Sequence, residues 1–105
     1  MPTTHSAIYF HVVFSTKHRQ PLIAADLRPR LHEFMGGIIR SLDGHLLSAG
    51  GVEDHMHLLV HWNTKGADVL LREVKSRSTR WIHAEFPAMS RFYWQEGGGV
   101  FSVSK

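Results

Sequence analysis

Residues 45–62 decide the fold: His45-Leu46-Leu47-Ser48-Ala49-Gly50-Gly51-Val52-Glu53-Asp54-His55-Met56-His57-Leu58-Leu59-Val60-His61-Trp62. Two apolar-rich runs, His45 to Val52 and His55 to Trp62, flank the acidic pair Glu53-Asp54, so the stretch reads as two strands paired antiparallel through a tight connection. Side chains two apart on a strand share a face. Met56, Leu58, Val60 and Trp62 therefore fall on one side of the second strand, and His55, His57 and His61 on the other. The apolar set has to face a core, which sends the imidazoles to the opposite surface.

Working outward, the period changes from two to that of a helix on both sides. Upstream, Leu27, Leu31, Phe34, Ile38 and Leu42 recur at three- and four-residue steps, with Asp26 as N-cap, Pro29 in the first turn and Gly44 as the stop. Gly36-Gly37 inside this helix costs about 1 kcal/mol per glycine relative to alanine, and close packing of the helix on the sheet is the expected compensation. Before it, Ile8, Phe10, Val12 and Phe14 alternate with Tyr9, His11, Val13 and Ser15, a strand followed by a basic loop from Lys17 to Pro21. Downstream, Asn63 to Gly66 is a turn. Asp68 to Phe86 is a second helix with Val69, Leu70, Val74, Trp81 and Ile82 as its apolar stripe, stopped by Pro87. A loop containing Arg91 to Gly99 leads to a last short strand around Val100, Phe101 and Val103. The order β-α-β-β-α-β predicts an α+β, ferredoxin-like (RRM-like) fold: a four-stranded antiparallel sheet with both helices on one face and the other face open.

The chain has 105 residues, 43% of them hydrophobic, which is enough for one modest core in a single domain. Twelve Lys and Arg against nine Asp and Glu give a net charge of +3, which favours polyanionic partners and puts nucleic acid first among them. The absence of cysteine excludes disulfides, thiolate metal sites and cysteine nucleophiles and suits a reducing cytoplasm. No apolar run is long enough to span a membrane, and the N-terminus lacks the zones of a signal peptide. Positive charge concentrates in the first loop and on the second helix, making Lys17, Arg19, Arg72, Lys75 and Arg80 the candidate phosphate contacts.

Nine histidines invite a metal or acid–base reading. His55 and His57 lie on one uncovered strand face and follow two carboxylates, so their imidazoles are placed to converge on one divalent cation, with a third ligand, water or a carboxylate such as Glu53 or Asp54 completing it. The residues alone leave surface or hydrogen-bonded structural histidines as the alternative. His11, His45 and His61 read as structural or substrate-facing, and His5, His18, His32 and His83 as surface residues.

The stretch Gly50-Gly51-Val52-Glu53-Asp54-His55-Met56-His57-Leu58-Leu59-Val60 resembles the metal-binding signature of the single-domain tyrosine transposases of the insertion sequence 200/605 type, in the HUH superfamily of single-strand nucleases. Tyr9-Phe10-His11-Val12-Val13-Phe14-Ser15-Thr16-Lys17-His18-Arg19 resembles that family's first strand and basic loop. Lys75-Ser76-Arg77-Ser78-Thr79-Arg80-Trp81-Ile82, Trp94-Gln95-Glu96-Gly97 and Phe101-Ser102-Val103-Ser104 resemble its second helix and last strand. The resemblance implies a homodimeric transposase domain over residues 1–105 that cuts and rejoins single-stranded DNA at mobile-element ends. It also implies Mg²⁺ or Mn²⁺ on His55, His57 and a third polar ligand, and a tyrosine nucleophile that forms a 5′-phosphotyrosyl intermediate.

In that family the nucleophile sits on a helix after the last strand, so it is expected beyond Lys105, and the 105-residue chain alone is expected to be inactive in covalent cleavage. Tyr9 matches a position that is not the nucleophile, and Tyr93 adjoins Phe92 and Trp94 in what reads as an apolar cluster. A non-catalytic single-stranded nucleic-acid-binding module is the competing class; it needs aromatics on the open face, where the sequence places His11, His55, His57, His61 and, among aromatics, only Tyr9. A structural metal domain would need four closed ligands, usually including cysteines.

Overall fold

A computed structural model describes residues 8–103. The elements are β1 (Ile8–Ser15), α1 (Leu27–Ser41), β2 (His45–Gly51), β3 (His55–Trp62), α2 (Ala67–Glu85) and β4 (Gly99–Ser102), with short 3-10 turns at Lys17–Arg19 and Pro87–Met89. The four strands form one sheet in the order β2-β3-β1-β4, every neighbouring pair antiparallel. This is the α+β arrangement expected from the sequence.

Register follows the apolar alternation. Val12 lies opposite Leu58 and Phe14 opposite Met56, and all four are buried with Val60 and Trp62 on the helix side of the sheet. The helices contribute Leu27, Leu31, Met35, Ile38 and Ile39 from α1, and Leu70, Val74 and Ile82 from α2. Between the helices the Phe34 and Trp81 rings stack at 4.7 Å, and the Arg30 guanidinium lies 4.9 Å from the Phe86 ring. Both buried indoles find acceptors: Trp62 Nε1 donates to Gly66 O at 3.0 Å and Trp94 Nε1 to Ser78 Oγ at 2.9 Å.

The ends of α1 depart from expectation. Asp26 precedes the helix in helical backbone geometry and makes no side-chain cap, the turn instead being closed by Leu27 N and Arg28 N on Ala24 O. At the other end the left-handed residue is Asp43 (φ 65°), while Gly44 donates its N–H to Ile39 O. Gly44 is needed for space: a Cβ there would lie 2.6 Å from the Trp62 ring. The close packing expected of Gly36-Gly37 is not found. A Cβ on Gly36 would meet Leu46 at an ordinary 3.5 Å, and one on Gly37 only the Arg40 guanidinium at 3.9 Å.

The segment between α2 and β4 is better ordered than a loop reading implies. Phe92 and Trp94 are buried, Trp94 bridges to Thr16, and Gln95 N donates to Ser15 O. Residues 92–95 thereby extend the β1 side of the sheet and hold the basic turn in place.

Candidate metal and nucleic-acid site

The open face of the sheet carries Tyr9, His11, Val13 and Ser15 from β1 and His55, His57, Leu59 and His61 from β3, opposite one another by register. His57 lies opposite Gly50 of β2, and a Cβ on Gly50 would come within 2.7 Å of its ring. The glycine is thus what lets the His57 imidazole lie down over the β2 backbone. His11 meets His57 edge-on at 5.7 Å. Further along, Tyr9, His61 and His45 form a stacked row across three strands, at 5.0 and 6.2 Å between ring centres.

At the other end of β3, His55 is fixed from below. Its Nδ1 lies 3.0 Å from Asp54 Oδ1, and the second carboxylate oxygen of Asp54 lies 3.3 Å from Arg19 Nε. The His55 hydrogen bond, chiefly, holds the Asp54 carboxyl below the usual carboxylate range; desolvation opposes it, and the Arg19 guanidinium adds to the lowering. Arg19 reaches Asp54 from a sharp turn in which His18 and Arg19 both have left-handed backbone (φ 59° and 57°). That turn is clamped by Thr16, whose N–H and Oγ1 both bond Asp54 O, and by Gln95 Oε1, which accepts from His18 N at 3.0 Å.

The site opens into a cleft of about 260 Å³ lined by Ser15, Arg19, His55, Gln95, Glu96 and Gly98 among others. A wider groove of about 640 Å³, lined by Arg72, Lys75, Thr79, Tyr93 and Trp94, lies on the far side of the same segment, and Glu96 borders both. Arg19 therefore faces the histidine cleft, while Arg72 and Lys75 face the adjoining groove.

Lys75 is committed to structure. Its ammonium donates to Gln95 O at 2.6 Å and Gly97 O at 2.5 Å, and burial lowers its pKa, with Glu96 pulling the other way. Arg72 is exposed and loosely paired with Glu73 at 3.6 Å; Lys17 and Arg80 are exposed.

The histidines divide differently from the sequence reading. His83, expected at the surface, bonds Phe92 O through Nε2 at 2.8 Å. His32 is partly buried on α1, its Nε2 without a hydrogen-bond partner among the described residues. His5 lies outside the described residues. Tyr93 is 51% exposed against the His83 ring, outside the apolar cluster expected for it. Phe101, opposite His11 on β4 and 58% exposed, adds an aromatic to the open face that the sequence reading did not place there. Gln95 and Glu96 were also missed, because their loop has no periodicity to assign it a face.

The donor set fits a divalent ion only in part. Two imidazoles share one face, one oriented by a carboxylate and one lying over a glycine, which suits an ion of the Mn²⁺ or Mg²⁺ class that keeps oxygen ligands in its other positions. Among the described residues no group of three or more His, Cys, Asp or Glu is gathered for a metal. Glu53 is turned away, 3.7 Å from Arg28.

The sequence matches the family described as transposase, IS200 like, over residues 4–105. The chain belongs to the IS200-like transposases. Its fold is that of a putative transposase from Deinococcus radiodurans R1, with 18% identity and a TM-score of 0.90 over 100% of this chain and 85% of that one. It is also similar to a REP-associated tyrosine transposase bound to a REP hairpin, with 12% identity and a TM-score of 0.69, covering 100% of this chain and 64% of that one. Comparison with curated proteins finds no match. Among the described residues no helix is long and apolar enough to cross a membrane.

Proposed function

We propose that this transposase domain acts on single-stranded DNA at mobile-element ends by metal-dependent cleavage and rejoining, with His55 and His57 holding Mg²⁺ or Mn²⁺. The observation that supports this most is the pairing of an oriented His55 with His57 on an uncovered sheet face, beside a cleft that also contains Arg19. Bound there, the ion would polarise a scissile phosphate and stabilise its developing charge. Arg19 lines the same cleft and gives a cation for a neighbouring phosphate, while Lys17, Arg72 and Arg80 are exposed cations for the strand to either side. Lys75 supports this by fixing the 95–97 segment between cleft and groove.

The attacking phenol comes from outside the described residues. Tyr9 pairs with His61 and is six residues along the strand from Ser15, the partner of His55, which is about 20 Å at strand spacing. Tyr93 packs on His83 of α2. A homodimer is part of the proposal because β4 is a short edge strand with exposed Phe101, followed by exposed Val103, which a second copy would cover.

A second reading, a non-catalytic single-strand binder, is favoured by the row of Tyr9, His61 and His45 with Phe101 nearby, since stacked rings on an open sheet suit base stacking. Incubation of the 105-residue chain with single-stranded DNA and Mn²⁺ tests the assignment of the phenol. The expected result is Mn²⁺ binding without a denaturation-resistant covalent DNA complex. A covalent complex that vanishes on Tyr93→Phe or Tyr9→Phe would show that the nucleophile lies within the described residues.

A further inference from the structure

We infer that Asp54 is a positioning residue for His55: it fixes the imidazole in the tautomer that presents Nε2, unprotonated, to a metal ion. The inference rests on the metal reading above. An ionised carboxylate only accepts hydrogen bonds, so the 3.0 Å contact between Asp54 Oδ1 and His55 Nδ1 requires the proton on Nδ1. The lone pair is then on Nε2, the nitrogen left to bind a cation. This places the carboxylate behind the histidine, where the sequence alone had offered it as a direct ligand.

The carboxylate is itself held on both sides. Arg19 Nε is 3.3 Å from Oδ2, and the Asp54 carbonyl accepts from Thr16 N at 2.9 Å. Rotation of the Asp54 side chain toward the cleft would break its hydrogen bonds to both Arg19 and His55. The same arginine lines the cleft, so the turn that carries a phosphate-facing cation also orients a metal-ligating imidazole.

The test uses the full 105-residue chain, with Asp54→Ala and Asp54→Asn. Ring-nitrogen NMR of the metal-free protein at pH 8 should show His55 protonated at Nδ1 in the wild type. It should show a mixture or the Nε2-protonated form in Asp54→Ala, and retention of the Nδ1 proton in Asp54→Asn, whose amide oxygen still accepts. Mn²⁺ affinity, read by paramagnetic resonance, should fall about 10–100-fold in Asp54→Ala and less in Asp54→Asn, as for other residues that support metal ligands. Wild-type His55 protonated at Nε2 would overturn the inference, as would Mn²⁺ affinity unchanged in Asp54→Ala. Failure of the wild-type chain to take up Mn²⁺ would instead overturn the metal reading on which it rests.

Discussion

His32 shows how one residue ties acid stability to the sheet. Burial is the main cause of its lowered pKa, and the neighbouring charges of His57 and Arg28 add to it. Because the folded value lies below the ordinary 6.5, the unfolded chain binds more protons between the two, so this contribution to stability is complete above pH 6.5 and lost as pH falls below it. Melting temperature should therefore drop from pH 7 to pH 5, and His32→Gln should shallow the drop. Identical slopes for the two proteins would assign the acid sensitivity to other groups. None of this was legible in the sequence, because His32 sits at the edge of the apolar stripe of α1 and only the fold decides on which side of that edge it lies. The direction of His55 and His57 was legible, since strand alternation next to four buried residues leaves them one face. The role of Asp54 was not, because it depends on Arg19, 35 residues away in sequence.

At the scale of elements, periodicity carried both helices and the central strands β1 and β3 to within a few residues, because each has buried residues on one face, whereas the edge strands β2 and β4 have none and were legible from their apolar runs. The glycines in and just after α1 are harder to read, because a sequence records the missing side chain without recording what surrounds it. Gly37 has open space and Gly44 has none, so the two should respond oppositely to alanine. Gly37→Ala is expected to stabilise by about 0.5–1 kcal/mol through helix propensity. Gly44→Ala is expected to destabilise by about 1–3 kcal/mol, since the Trp62 ring must move. Urea unfolding of both variants reads the difference, and destabilisation by Gly37→Ala would show that the helix needs that glycine for close packing after all.

Over the whole molecule, the cations sort by what already holds them. Arg72 and Arg80 are exposed, whereas Lys75 already donates to two carbonyls, so the variants should part in their response to salt. Arg72→Ala or Arg80→Ala should shallow the salt dependence of single-strand affinity by about 0.7 for each phosphate that the side chain neutralises. Lys75→Met should leave the slope nearly unchanged and lower the melting temperature; a slope change as large as that of Arg72→Ala would place Lys75 on the DNA. The most direct test of the account is single-stranded DNA affinity measured with and without Mn²⁺ at constant ionic strength, in the wild-type chain and in the His55→Ala, His57→Ala double variant. Mn²⁺ is expected to tighten binding by the wild type and to have no effect on the variant. Equal responses in the two proteins would contradict it.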